Sequence, residues 1–508
     1  MTPRRGPVAA LIMKRLGDSR QQVNETRSAL PLRIPRQRSV AVIGSGIAGH
    51  SAASVLAERG FAVTLLEKNS YLGGKTGSWR AKLSDGFEAQ VDHGFHGFFR
   101  QYHNLRRLID RFGAGARLVP VEDYLIATLE RGSFRFRDTA RTPLLNMLSL
   151  SRTGLYRLGE MVKNPESRKL LAFLSYDEEK TFADFDDLSF QAFSDSIGLP
   201  APMRIMFNTF SRSFFAEPGL MSTAELIRSF HYYFLSNDLG LLYDHLDGDY
   251  EQALLAPARA YLQRHGVRIF TSSPVQGIER TGKGFRVGDT EYDAVVLAAD
   301  AGGARRIVAA SPFVGEENPA TFRRVSRLAA SQGYAVLRVW LDRPVVQHLP
   351  IFVATERREL LDSITFQHRI DAASADWARL HDGSVLELHA YALPAGMRDE
   401  TAIQNVLVED MKRYLPELRQ ASVMHAHLQV RDDFTAFHTG MHRDRPGVAT
   451  GIPGFVLAGD WVRTGLPAML MEAACTSAIL AANVLLSAEG VQEEPVFSVP
   501  RKGLFARS

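Results

Sequence analysis

Cysteine occurs once in 508 residues, at Cys475, so no internal disulfide can form and nothing in the thiol content points to an oxidising compartment. A secretory signal is also missing, because the apolar stretch 8–13 is short and is cut off at once by Lys14 and Arg15. His93, His96 and His103 lack the compact spacing of a ligand set and have no cysteine beside them, so no metal centre is expected. Internal repeats and long low-complexity tracts are absent. The net charge is only +4, yet the first 38 residues hold nine Arg/Lys against two acids, leaving about −3 on the remainder. The basicity therefore belongs to a leader. That leader reads as a solvated, flexible tail, with a membrane-surface anchor or a targeting peptide as alternatives. Nucleic-acid binding would rest on the leader alone and is not expected.

What is present is enough apolar residue, 45%, to bury a large core in two or three lobes. The apolar run Ser39–Ile43 leads into Gly44-Ser45-Gly46-Ile47-Ala48-Gly49, a helical pattern follows over 47–59, and a second apolar run, 61–66, ends on Glu67, 18 residues after Gly49. This is the order of a dinucleotide fold. Glycines let the backbone turn tightly and approach a pyrophosphate, the helix aims its positive N-terminus at the phosphates, and the acid takes a ribose hydroxyl. Nearly four hundred residues later, the run 454–458 reaches Gly459-Asp460-Trp461 and then a long apolar helix to Asn483, an arrangement able to offer amides and a carboxylate to a flavin. The apolar stretch 466–488 approaches the length of a membrane span. Glu472, Asn483, its small residues and its place after the Gly-Asp turn favour a helix packed inside a nucleotide domain.

Between these ends, helical patterns are expected over 102–112, 143–174, 203–242 and 250–265, and short strands at 118–122 and 125–129. The helix over 250–265 feeds the segment 267–271, 292–299 reads as a buried strand, and the stretch 267–299 returns to the nucleotide domain, with Val275 able to offer its backbone to an adenine or to serve as a simple buried strand residue. The alternating segments 334–341, 363–367, 385–391 and 423–430 suggest a second sheet. The fold class is α/β.

The ordered set Gly44 to Gly49, Gly73-Gly74-Lys75, the run 292–299 and Gly459-Asp460 resembles the flavin-containing amine oxidase and carotenoid desaturase superfamily over roughly residues 39–487. More narrowly, Asp92-His93-Gly94-Phe95-His96-Gly97-Phe98-Phe99-Arg100, Ser213-Phe214-Phe215-Ala216-Glu217-Pro218 and Gly459-Asp460-Trp461-Val462-Arg463 resemble carotene desaturases of the isorenieratene-synthase type. The resemblance implies bound FAD, hydride removal from a polyene, and a discontinuous Rossmann-like FAD-binding domain (39–110, 255–320 and 440–487) with a second, α+β substrate-binding domain (111–254 and 321–439), flanked by the leader 1–38 and a tail 488–508. Carried over, Gly44, Gly46 and Gly49 face the pyrophosphate, Glu67 the adenosine ribose, and Gly74 and Lys75 the phosphate or ribityl region. Asp460 meets the ribityl chain, and Met469, Leu470 and Met471 begin the helix beneath the flavin ring. Ser45, Ile47, Ala48 and Lys68 complete the expected cofactor contacts. The Asp-His-Gly-Phe-His loop departs from the Asp-x-Gly-Pro pattern of bacterial phytoene desaturases, which argues against phytoene.

No second glycine fingerprint occurs between residues 100 and 440, so a pyridine-nucleotide partner domain is not expected, and electrons should leave to oxygen or a quinone. The chemistry implied by the narrower resemblance is aromatisation of a β-ring: hydride abstraction, a cationic 1,2-methyl shift and loss of a proton. Phe95, Phe98, Phe99, Phe214 and Phe215 are candidates for aromatic faces around the cation, and His96 for the proton acceptor. An apolar carotenoid substrate further implies a cytoplasmic protein in peripheral contact with the membrane face, for which 143–174, mixing leucines with Arg152, Arg157, Lys163, Arg168 and Lys169, offers an interfacial helix. The alternatives are another FAD enzyme of the superfamily, such as an amine oxidase or a squalene- or phytoene-type desaturase or dehydroxylase, and a non-catalytic flavin- or carotenoid-binding protein.

Overall fold

The computed structural model describes residues 6–506 apart from 84, 131, 138, 153–164 and 241. Five parallel strands form the first sheet in the order Arg268–Phe270, Ala62–Leu66, Ser39–Ile43, Ala294–Leu297, Phe455–Leu457. Their central members are continuous apolar runs because both faces of the sheet are covered. Helices Ile47–Glu58 and Leu470–Ala488 lie against each other and against this sheet. Leu470–Ala488 is the one helix among the described residues long and apolar enough to cross a membrane, and most of it is buried inside the protein. The expected run 292–299 divides: Thr290–Tyr292 closes a small antiparallel sheet, and Ala294–Leu297 enters the parallel one.

The second sheet has seven strands in the order Val423–Arg431, Tyr334–Leu341, Ser384–Ala390, Ser363–Thr365, Phe352–Thr355, Leu125–Ala127, Ser133–Arg135, antiparallel except where Phe352–Thr355 meets Leu125–Ala127. Strand side chains alternate between faces. One face, with Leu337, Val339, Leu386 and Leu388, shares a core with Ile403, Leu407 and Met411 of helix Glu400–Tyr414. The other carries Tyr334, Arg338, Glu387 and His389, all buried although polar.

A helical lobe, Glu178–Phe185, Phe190–Ser196, Ala201–Arg212 and Thr223–Phe230, closes over that second face around Phe190, Phe193, Phe207 and Phe230. Asp177, Ser189 and Ser222 cap three of these helices through their side chains. The helix expected across 203–242 is therefore interrupted: Ala201–Arg212 stops where Phe215 takes a left-handed φ of 58°, and Ser222 starts the next helix. Over 143–174, Leu145–Arg152 is α-helical and Pro165–Leu174 is 3₁₀, while Leu155, Arg157, Leu158 and Lys163 lie outside the described residues.

The leader differs from a loose tail. Pro7–Leu16 forms a helix whose Met13 and Leu16 pack on Leu504, Gln21–Gln22 pairs antiparallel with Phe497–Ser498, and Asn24 donates to the Glu494 carbonyl (3.0 Å) and accepts from Val496 N–H (2.8 Å). Composition suggested disorder; backbone pairing with the opposite terminus supplies the order.

Candidate functional site

The turn between the first strand and the first helix sets the geometry of the site. Gly44 has φ +106°, and a Cβ there would stand 2.6 Å from the carbonyl oxygen of Ala298. A Cβ on Gly49 would meet the Gly44 carbonyl oxygen at 1.8 Å, so only glycine lets the helix begin this close to the turn. A Cβ on Gly46, by contrast, would meet nothing within 4 Å and project into open space, which Gly74 borders from the other side. First-turn amides of a helix have no intrahelical partner and carry its positive end. Here they face that space.

The space is one end of a cavity of about 660 Å³. Gly44, Ser45, Gly46, Ile47, Ala48, Glu67, Lys68, Gly74, Lys75, Val275, Gly459, Asp460, Leu470 and Met471 all line it, so residues from three distant stretches of chain meet at one wall. Gly49 and Met469 do not. Gly49 stands behind the turn against Gly44, and Met469 is fully buried beneath the helix start, its sulfur 3.8 Å from Ser229 Oγ. Both were expected at the cofactor; their roles are to hold the wall. Glu67 is fixed by Ser45, whose N–H and Oγ–H donate to Oε2 (2.9 and 2.6 Å), and by Asn69 N–H donating to Oε1 (2.8 Å). Lone pairs remain for a hydroxyl from the cavity. Lys68 pairs with Asp300 (3.2 Å), which also caps the next helix by accepting from Gly303 N–H (2.7 Å). Burial pulls the Lys75 ammonium down, but Asp460, Asp433 and Asp300 more than offset it and leave its pKa above the ordinary value. Asp460 accepts from Thr435 Oγ1 (2.8 Å).

The other end is aromatic. Phe95, Phe99, Phe214 and Phe215 line it, with Phe210, Tyr233, Phe234 and Phe352 beyond. Phe95 stacks on Phe352 (centroids 5.2 Å apart) and Phe215 on Phe434 (3.9 Å). Phe98, expected with them, is completely buried behind the wall, since consecutive strand residues point to opposite sides. Phe215 and Leu470, at φ 58° and 52°, are among the few non-glycine residues held in the left-handed region, and both face this cavity. Such strain costs about 1–3 kcal/mol per residue and persists only where the surroundings impose it.

His96 also lines the cavity. Its Nδ1 lies 2.7 Å from the Gly94 carbonyl oxygen and therefore carries the proton, while Tyr250 Oη accepts from the His96 backbone N–H (2.9 Å). Burial pushes the His96 pKa down to about 4, so the ring is neutral and weakly basic. Sequence reasoning missed the wall opposite. Arg338 Nη2 and Nε reach Glu387 Oε2 (2.8 and 3.3 Å), and Glu387 Oε1 accepts from Phe95 N–H (2.8 Å) and bonds His389 Nε2 (3.0 Å). Burial raises the Glu387 carboxyl, but Arg338 and His389 overcome this and hold it down at about 2. Asp92, 3.7 Å from Arg338, goes the other way, pushed up to about 6 by burial. The only hint was the period-2 spacing of Glu387, His389 and Tyr391.

Comparison with known proteins agrees with this geometry. Residues 47–486 match the family described as flavin containing amine oxidoreductase. The carotenoid phi-ring synthase of Streptomyces griseus is 40% identical over 474 residues, covering 92% of this chain and 91% of that protein. The protein of that name from Chlorobaculum tepidum is 26% identical, again over 92% of this chain and 91% of its own. Among solved structures, wild-type putrescine oxidase bound to putrescine has the same fold, with a TM-score of 0.62 at 16% identity over 89% of this chain and 99% of the oxidase. The glycine turn with open space at Gly46, the buried Glu67 acid and the Gly459-Asp460 turn fit a flavin nucleotide, and the chain is a member of the flavin-containing amine oxidoreductase family, a flavin-dependent oxidoreductase.

Proposed function

We propose that the enzyme binds FAD and desaturates a carotene, converting a β-ring into an aromatic ring with migration of one methyl group. The observation that carries this reading is a single cavity in which the glycine cradle opens directly onto an aromatic lobe, and the name of the Streptomyces relative supplies the substrate class. Gly44, Gly46, Glu67, Gly74, Lys75 and Asp460 would hold FAD, which would supply the hydride acceptor. The chain's own residues do the rest. Phe95, Phe99, Phe214 and Phe215 exclude water from a polyene end and offer π faces to a ring cation, each contact being worth up to about 2 kcal/mol when desolvated. A ring carbon with two methyl groups cannot join an aromatic sextet, so a tight aromatic wall that keeps the cation unhydrated favours the methyl shift over capture by water. Electrons pass on to oxygen or a quinone, and the substrate is drawn from the cytoplasmic face of a membrane by peripheral contact.

Expression in cells accumulating β-carotene tests the reading. The expected pigment is lighter by four hydrogens per converted ring and shows aromatic methyl signals. A yellow, flavin-bearing protein that leaves β-carotene unchanged would move the assignment to an acyclic carotene or another lipid.

A further inference from the structure

Aromatisation ends with a proton leaving the ring, and three imidazoles line the cavity: His93, whose Nε2 is engaged by Tyr334 Oη (3.1 Å), His96 and His389. His96 has its Nδ1–H committed to the Gly94 carbonyl, and among the described residues no carboxylate is hydrogen-bonded to its ring. His389 is built differently. It sits in the central strand Ser384–Ala390, opposite Val336 of the neighbouring strand, so its position is set by a sheet rather than by a loop. Its Nε2 is 3.0 Å from Glu387 Oε1, and a carboxylate only accepts, so Nε2 carries the proton. Nδ1 is left as the lone pair. It has no hydrogen-bond partner among the described residues and is not sealed off, and the ring lines the cavity although the residue is only 3% exposed. Glu387 is held in turn by Arg338 and by Phe95 N–H, the latter tying it to the loop that carries His96. A base oriented by a carboxylate that is itself oriented by a third group is the arrangement general-base catalysis uses.

We propose that His389 is the proton acceptor of the reaction, with Glu387 and Arg338 as its positioning residues; this rests on the carotene-aromatising reading above. In the step, a C–H bond of the methyl-shifted ring cation breaks, its electron pair becomes the last ring double bond, and the proton goes to Nδ1. The cation is neutralised and an imidazolium forms, with the Glu387 carboxylate beside Nε2 balancing its charge. No electrons change hands in this step. The groups around the imidazole are Glu387 and Tyr391 on its own segment, Arg338 on the next strand, Ser363 on the strand beyond, and His96 from the covering loop, with Asp92 behind Arg338 and Tyr250 behind His96.

The test compares flavin-loaded wild type, His389→Gln, His96→Gln and Glu387→Gln in single turnovers with β-carotene in lipid vesicles, following aromatic product against pH. His389→Gln is expected to keep its flavin and form product at least ~100-fold more slowly, and the loss in His96→Gln, whose ring lines the same cavity, is expected to be the smaller of the two. In Glu387→Gln the acid limb of the rate profile moves to lower pH, because the imidazolium loses its counter-charge; a structural role alone would leave that limb in place. Wild-type rate and unchanged pH profile in His389→Gln would overturn the assignment while leaving the aromatase reading intact. A wild-type enzyme that makes no aromatic product would sink the reading itself, and the assignment with it. If a variant loses flavin, modification of wild-type protein with diethylpyrocarbonate decides. Carbethoxylation of His389 that β-carotene blocks and that stops aromatic product supports the role, and full turnover with His389 modified refutes it.

Discussion

Gly46 and Gly49 belong to the same fingerprint, but the structure gives them separable jobs, and two alanine variants distinguish them. At Gly49 an added Cβ would lie 1.8 Å from the Gly44 carbonyl oxygen, so that the turn or the helix must move 1.2 Å merely to reach 3.0 Å. Both are packed in the main core against Leu65 and Ala298, and such overpacking costs about 1–3 kcal/mol. Gly49→Ala should therefore lower the melting temperature of flavin-free protein and lose flavin as a secondary effect. At Gly46 the backbone is ordinary, φ −67°, and the new methyl meets no protein atom within 4 Å. Gly46→Ala should leave flavin-free stability unchanged, or raise it by about 0.4–1 kcal/mol by restricting the unfolded chain. Its methyl instead occupies the space assigned to the cofactor phosphates. Flavin binding should weaken by about 10–100-fold, equivalent to about 1.4–2.8 kcal/mol at 1.4 kcal/mol per tenfold. Melting curves of stripped protein and fluorescence titration with flavin read the two effects separately. Normal flavin affinity in Gly46→Ala would show that the phosphates do not approach there, and the cradle would have to be placed elsewhere.

Other expectations concern buried charge and the chain ends. Glu472 is pushed up to about 8 by burial, against an ordinary 4.5, despite accepting from Asn104 and Leu105 N–H groups, so the folded chain holds a proton that the unfolded chain releases. Its contribution is fully present below pH 4.5 and is lost as pH rises through 8, up to about 5 kcal/mol at 1.36 kcal/mol per pH unit. Urea melts across that window should show the decline in wild type and not in Glu472→Gln. Arg338→Met strands Glu387 and Asp92 without their counter-ion and should cost about 3–5 kcal/mol in the same assay; a loss below 1 kcal/mol would mean that water enters the cluster. Limited trypsin digestion should cut slowly at Lys14, Arg15 and Arg20, because the leader is docked; rapid removal before any other cleavage would contradict the pairing of Gln21–Gln22 with Phe497–Ser498.

The cofactor end was readable because its signals are local. Gly44 to Gly49 sits between an apolar run and an acid at fixed spacing, and Gly49 answers to a steric requirement set by Gly44 in the same turn. The substrate end was not. Arg338, Glu387 and His389 alternate with apolar neighbours, and charged residues at period two ordinarily mark a solvent face. Their face is buried because a loop from residues 92–99, some 240 or more positions away, folds over it and is bonded there through Phe95 N–H to Glu387. Nothing near these residues in sequence announces that. Phe98 misled for a related reason, since a run of aromatics does not reveal which members face inward until the strand is placed. The leader misled through composition: its basic residues look solvated, but its backbone finds partners at the far terminus.

The parallel sheet is assembled from strands separated by most of the chain, which makes its completion a late event in synthesis. Ser39–Ile43 and Ala62–Leu66 emerge first, and Phe455–Leu457 closes the edge beside Ala294–Leu297 last. At about 5–20 residues per second, translation delivers that closing strand roughly 20–80 s after the first. Throughout this interval the nascent chain exposes an unpaired apolar strand edge, the kind of surface that recruits chaperones or aggregates. Gly459 and Asp460 leave the ribosome after the closing strand, so the flavin cannot find its full set of partners until synthesis has passed them. Yellow colour in a preparation therefore counts molecules in which the closing strand is in place, and flavin supply during expression is expected to set the yield of soluble enzyme.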